Sequence, residues 1–228
     1  MAAAVCPHRV PLAVEIGPGR GALTERLLQR ADRVVALELD ALLVEHLRHK
    51  FAHEPRLEVI HQDVLEADLS QWGRAPIAGN LPYYITSPIL QMTARLSPPR
   101  AVFLMQKEVA ERVVAEPGRR SYGFLTLQIA VRMQSRLLFE VKPTAFRPPP
   151  KVDSAAVLLE PRSSEPGIPD PDAFLEFVGH AFQHKRKTIR NNLGPVYGKA
   201  VIDGWPEAGL RAEQIPLDRF IEMWRRLG

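Results

Sequence analysis

The sequence predicts an α/β protein: a mostly parallel sheet with one antiparallel strand at its side, flanked by helices, followed by a small all-α domain. Three observations carry this. Short β-rich runs alternate with helically spaced segments along the first part of the chain; the alternation fails where two strands are separated only by a proline-rich loop; and the last part has helical spacing alone. With 228 residues, 46% of them hydrophobic, the chain can bury a large core and a small one, which argues against disorder. No apolar run reaches the roughly 18 residues of a membrane span, and MAAAVCPHRVPLAVEIG lacks the order of a signal peptide, so a cytoplasmic protein is expected. The single cysteine, Cys6, rules out an internal disulfide and a thiolate zinc site. A net charge of +4 leans towards a polyanionic partner, and where that charge sits matters more than its total.

The elements follow in order. LAVEI (12–16), RVVALEL (33–39) and LEVIHQ (57–62) read as strands, with ALTERLLQRA (22–31) and ALLVEHLRHKF (41–51) as the helices between them. APIAG (75–79) is a fourth strand, a helix begins near Ser87, and AVFLMQ (101–106) is a fifth strand, with helices expected within 106–115 and 121–132. RLLFEV (136–141) and SAAVLLE (154–160) flank the loop PTAFRPPPKVD, which is too irregular for a crossover helix, so these strands pair antiparallel at one side of the sheet. PRSSEPGIPD (161–170) reads as a linker. The first domain is therefore expected over 1–162. The second, over 163–228, is expected to consist of AFLEFVGHAFQHKRKTIRNNL and PLDRFIEMWRRLG, with Pro216 and Asp218 suiting a helix start.

After the first strand, Gly17-Pro18-Gly19-Arg20-Gly21 leads straight into a helix. Glycines there let the backbone turn sharply and let a ligand lie against bare main chain, although a tight turn alone would use them too. Glu38 ends the second strand about 20 residues downstream, where a carboxylate accepts both hydroxyls of a ribose. Asp40 reads as a helix cap. Asp63, after the third strand, either accepts from an adenine amino group or caps the next helical turn. Together these strand ends define a nucleoside pocket. The glycine spacing lacks the third glycine of the dinucleotide pattern, which favours S-adenosylmethionine, a ligand without a pyrophosphate, over NAD.

Asn80-Leu81-Pro82-Tyr83 closes the fourth strand, beside the first in a doubly wound sheet. Pro82 has no N–H and drives Leu81 out of the helical region, which leaves backbone carbonyls free of a regular helix. Two acceptors result, the Asn80 side-chain oxygen and the Leu81 carbonyl. They can grip the exocyclic amino group of an adenine and free its lone pair for attack on a methyl group, without a strong general base. Such a base has to leave its stack and lie between flat side chains. Tyr83 is one candidate for that wall and Phe146, in the proline-stiffened loop, is the other, with ordinary packing as the alternative for both; Tyr84 is expected in the core.

VEIGPGRGALTERLL, ALELD, HQDVLEADL, GNLPYYITSPIL, QKEVAERVVAEPGRRSYGFLTLQ, FRPPPKVDSAAV and HKRKTIRNNL, in that order, resemble the ribosomal RNA adenine N6,N6-dimethyltransferase family, with the pattern of its bacterial small-subunit (16S) branch. The resemblance implies a class I, Rossmann-like S-adenosylmethionine-dependent methyltransferase sheet with a small helical domain. It also implies that Gly17, Glu38, Asp63 and Asn80 contact S-adenosylmethionine, joined by Gly19 from the same loop. Asn80, Leu81, Pro82 and Tyr83 then serve the target base, with Phe146 stacked on it. The implied reaction is dimethylation of two adjacent adenosines near the 3′ end of 16S rRNA in an immature small subunit, by a monomer. Family members carry a Gly-Gln-His-Phe-Leu type segment well upstream of the glycine loop, and none stands before Gly17 here. Two other readings stay open: a large-subunit dimethylase with the same Asn-(Leu/Ile)-Pro-Tyr core, and an RNA-binding assembly factor without turnover.

Lys185, Arg186, Lys187 and Arg190 concentrate charge near the start of the second domain, as RNA phosphate contacts or as a solvated helix face. Beside a methyltransferase pocket, RNA contact is the better reading, and Arg119, Arg120, Arg147 and Lys151 extend it. His46, His49 and His53 fall at helical spacing among charged residues and read as a solvated face, with no metal implied. No Gly-x-Ser-x-Gly elbow supports hydrolase chemistry.

Overall fold

The computed structural model describes residues 1–163 and 167–227. Its seven strands are β1 (Val10–Ile16), β2 (Ala31–Glu38), β3 (Leu57–His61), β4 (Ile77–Asn80), β5 (Ala101–Gln106), β6 (Met133–Val141) and β7 (Ser154–Pro161), in the spatial order β3-β2-β1-β4-β5-β7-β6. The first five are mutually parallel, and β7 runs antiparallel to both β5 and β6, as the failed alternation predicts. The helices are α1 (Ala2–Val5), α2 (Ala22–Leu28), α3 (Ala41–Lys50), α4 (Thr86–Leu96), α5 (Lys107–Val113), α6 (Phe124–Ala130), α7 (Pro171–Phe182), α8 (Ile189–Tyr197), α9 (Lys199–Asp203) and α10 (Leu217–Arg225).

β2 is an inner strand with an apolar middle: Val34, Val35, Ala36 and Leu37 are buried, as a strand covered on both faces requires. On one face, Leu27 and Leu28 of α2 pack with Val5, Cys6, Ala13 and Val34. The short α1 belongs to this cluster and has no counterpart in the periodicity of the sequence. Asp40 caps α3, its carboxylate accepting from the N–H groups of Leu42 (2.8 Å) and Leu43 (3.3 Å), as expected.

The chain divides into two compact units, but not at residue 162. Met1–Ala110 with Met133–Pro161 form one, and Glu111–Arg132 with Arg162–Gly228 the other. Segment 111–132, expected in the first domain, belongs with the C-terminal helices. There Tyr122, Leu127 and Val131 share a core with Phe174, Phe177, Ile189 and Phe220. The Tyr122 hydroxyl donates to the Ile215 carbonyl (2.9 Å), and the Gly118 N–H donates to the Glu213 carbonyl (2.7 Å). The expected linker, 161–170, includes 164–166, which lie outside the described residues.

The long helical stretch expected across residues 173–193 is also interrupted. α7 ends at Phe182, a turn covers 183–188, and α8 begins at Ile189. Asn192, buried on α8, turns its side-chain amide onto the carbonyls of Ala181 (2.7 Å) and His184 (3.2 Å), which holds the break in place.

Candidate active site

The carboxyl ends of four neighbouring strands carry Gly17, Glu38, Asp63 and Asn80. Register makes them adjacent, since Ile16 opposes both Leu37 and Gly79, and Glu38 opposes His61. Gly17 and Gly19 hold φ of +65° and +58°, which side-chain-bearing residues adopt at a strain, and the space over the Gly19 Cα is open to 4 Å. Glu38, only 8% exposed, shapes this loop. One carboxylate oxygen accepts from the Gly19 N–H (3.0 Å), and the other accepts from the N–H groups of Leu39 (2.9 Å) and Asp40 (3.0 Å). Asp63 accepts from the Leu65 N–H (2.8 Å) as the cap of a short 3₁₀ turn. Both readings of Asp63 are compatible with this geometry, because it also lines the cleft.

The cleft holds about 370 Å³ and is lined by Gly17, Glu38, Asp63 and Pro82, with Leu39, Val64, Tyr84 and Ile85 as apolar walls. Its size suits a nucleoside. Three carboxylates (Glu38, Asp40 and Asp63) border it and none of its lining residues is cationic. Such a surface repels a pyrophosphate and favours a ligand that brings hydroxyl and amino donors and a positive charge. These residues fit S-adenosylmethionine better than a dinucleotide.

Tyr84 departs from its expected place. It is 78% exposed and lines the cleft instead of packing in the core. In the segment 81–85, Leu81 takes the buried position and Tyr84 is turned outward.

At the end of β4 the sequence motif forms as expected. The Leu81 N–H donates to the Leu104 carbonyl (2.9 Å), whereas its own carbonyl accepts from no described donor. Pro82 leads into the turn that precedes α4, its carbonyl accepting from the Ile85 N–H (3.2 Å) and the Thr86 hydroxyl (3.0 Å). Asn80 is exposed and its side chain has no hydrogen-bond partner among the described residues. Two acceptors on consecutive residues thus lack a partner among the described residues. Gly79 brings β4 close to β1, since a Cβ there would lie 2.6 Å from the Ile16 carbonyl oxygen.

Tyr83 is 37% exposed, and its hydroxyl lies 3.2 Å from that of Ser154 at the start of β7. Phe146 is half-buried in the loop between β6 and β7, and no ring contact joins it to Tyr83 among the described residues. The foot of that loop is fixed at the carboxyl edge, where Lys142 pairs with Asp153 (2.6 Å) and the Asp153 carbonyl accepts from the Lys107 N–H (3.0 Å). Arg147 is exposed on the same loop.

Glu15 is a residue that the sequence pattern did not single out. It sits on β1 at 1% exposure and accepts from the Thr24 hydroxyl (2.6 Å). Burial pushes its carboxyl up to about 7; the Thr24 hydrogen bond opposes this and the charge of Glu38 adds to it.

In the other unit, Lys185, Arg186 and Lys187 are exposed on the turn that Asn192 holds, and Lys185 donates to the Arg120 carbonyl (3.3 Å). Arg190 is drawn away from this group into an ion pair with Asp203 (2.6 Å). His46, His49 and His53 are exposed.

A seven-stranded sheet in the order 3-2-1-4-5-7-6 with a single antiparallel strand, and a nucleoside-sized cleft over its first strand, defines a class I methyltransferase fold. The profile of the ribosomal RNA adenine dimethylase family matches residues 12–214, and the chain belongs to that family of enzymes. A ribosomal RNA small subunit methyltransferase A of Acidobacterium capsulatum is 42% identical, over 94% of this chain and 80% of that one. The protein of the same name from Cupriavidus taiwanensis is 39% identical over 99% and 86%. Among solved structures, the 23S rRNA methyltransferase ErmE matches at 28% identity and a TM-score of 0.71, over 99% of this chain and 95% of that one. A dimethyladenosine transferase from Plasmodium falciparum shares the fold, at a TM-score of 0.81 and 22% identity over 99% and 94%.

Proposed function

We propose that this enzyme dimethylates the N6 atoms of two adjacent adenosines near the 3′ end of 16S rRNA in an immature small subunit, using S-adenosylmethionine, as a cytoplasmic monomer. The observation that carries the chemistry is the pair of unused acceptors, the Asn80 side chain and the Leu81 carbonyl, beside an anionic cleft without a cation. Relatives named for the small subunit, near 40% identity over most of the chain, support the choice of substrate over the large-subunit one. No helix among the described residues is long and apolar enough to cross a membrane.

S-adenosylmethionine, when bound, supplies a methyl group on a positively charged sulfur. Glu38 would accept from its ribose hydroxyls, Asp63 would accept from its adenine amino group, and the main chain at Gly17 and Gly19 would leave room for it. Asn80 Oδ1 and the Leu81 carbonyl take the two N–H bonds of the target amine, so that its lone pair points away from them. Pro82 fixes that geometry by keeping Leu81 out of the helix. Tyr83 and Phe146 hold the flipped base on its two faces. The N6 proton turns acidic once alkylation has occurred, and water takes it, so no buried base is needed. Lys185, Arg186 and Lys187, with Arg147 from the catalytic unit, meet RNA phosphates; Arg190 contributes less because of Asp203.

The test is transfer from labelled S-adenosylmethionine to immature small-subunit particles, with mapping of the product. Dimethyladenosine at two adjacent positions is expected. Asn80→Ala should lower kcat by about 100-fold or more with RNA affinity retained; a variant with unchanged turnover would remove Asn80 from the acceptor pair.

A further inference from the structure

We propose that Ser154 is a positioning residue for Tyr83, and that their hydrogen bond locks the Tyr83 ring to the foot of the loop that carries Phe146. The inference rests on the base-holding role given to Tyr83 above.

Ser154 opens β7, opposite Gln106 on β5 and Val141 on β6, and is 1% exposed. The strand continues as Ala155, Ala156, Val157, Leu158 and Leu159, all buried and apolar. A hydroxyl at the head of such a strand needs a partner, because a polar group without one is penalised on burial. Among the described residues its partner is the Tyr83 hydroxyl, 3.2 Å away. Tyr83 itself lies in the turn between β4 and α4, is 37% exposed, and among the described residues enters no ring contact that would fix its orientation. The hydroxyl tether therefore sets where the tip of the ring points.

The anchor is well placed for a second reason. Ser154 follows directly on Asp153, where the loop is closed by Lys142 (2.6 Å) and by the Lys107 N–H (3.0 Å). Phe146 belongs to that loop. One wall of the base site is thereby referenced to the base of the other, across residues far apart in the chain. A ring that served only as apolar packing would not need its hydroxyl, whereas a ring that has to meet a flat base at a fixed angle does.

The decisive experiment compares Tyr83→Phe, Ser154→Ala and the double variant in the full chain, on immature small-subunit particles, with cofactor affinity measured in parallel. Tyr83→Phe keeps the ring at a partly exposed site, so it probes the same bond with the fold intact. Each single variant should lower kcat about 10-fold, with KM for particles and Kd for S-adenosylmethionine within about 2-fold of the parent. The double variant should be no slower than either single one, because all three delete the same bond. Full turnover in either single variant, or losses that multiply to about 100-fold in the double, would overturn the proposal and leave the functional reading intact. Failure of the parent chain to methylate would overturn both.

Discussion

Glu15 carries its proton into the neutral range because burial on β1 penalises its charged form. Its ordinary value is 4.5 and burial raises it to about 7 in the folded chain. Between those values the native state keeps a proton that the unfolded chain has lost, so stability falls as pH rises through the window and levels off above it. The total effect is about 3 kcal/mol. Denaturant titrations of the parent and of Glu15→Gln at pH 5 and pH 8 should show the parent losing on the order of 2–3 kcal/mol more than the variant across the interval. Equal losses would mean that Glu15 is ionised throughout. The sequence did not flag this residue, because a glutamate within VEIG reads as one polar step in a strand and the pattern is silent on what covers it. Tyr84 shows the converse: hydrophobicity predicts burial, but in this segment Leu81 is the residue turned inward and Tyr84 the one turned outward.

At the level of elements, the spacing of β1 and β4 sets the gap between the glycine loop and Asn80. Gly79 keeps that spacing, with only 2.6 Å between its would-be Cβ and the Ile16 carbonyl oxygen. Backbone cannot yield as a side chain can, so Gly79→Ala should cost about 1–3 kcal/mol of stability in urea unfolding and lower kcat/KM as the strands separate. A variant with parental stability and activity would show that the gap is not rigid. The strands were largely legible in the sequence, since β-rich runs bounded by turn residues mark them and a missing crossover helix marks the antiparallel pair. Their ends moved by one to three residues: β1 begins at Val10, β3 stops at His61 and β6 begins at Met133. The break between α7 and α8 was not legible, because it depends on Asn192 reaching carbonyls in the preceding helix, a contact that helical periodicity does not encode.

For the molecule as a whole, the gathering of Gly17, Glu38 and Asp63 at the carboxyl edge could be read ahead of the fold, because the order of the strands brings their ends together. Unit boundaries could not, because Tyr122, Leu127 and Val131 join the C-terminal core through contacts between segments distant in the chain. The excess of +4 charges is modest, which makes the cluster on the 183–188 turn the stronger electrostatic determinant. Replacing Lys185, Arg186 and Lys187 by alanine should weaken RNA binding and reduce the slope of log affinity against log salt by about 2, with cofactor affinity unchanged. An unaltered slope in a filter or anisotropy titration would assign these residues to solvent. Glu38 has a consequence of a different kind. Its carboxylate already holds the main-chain N–H groups of Gly19, Leu39 and Asp40, so the loop takes its shape from the chain itself. A ligand entering there meets a finished surface. A ligand is then bound without ordering of this loop, so that none of its binding energy is spent on shaping it.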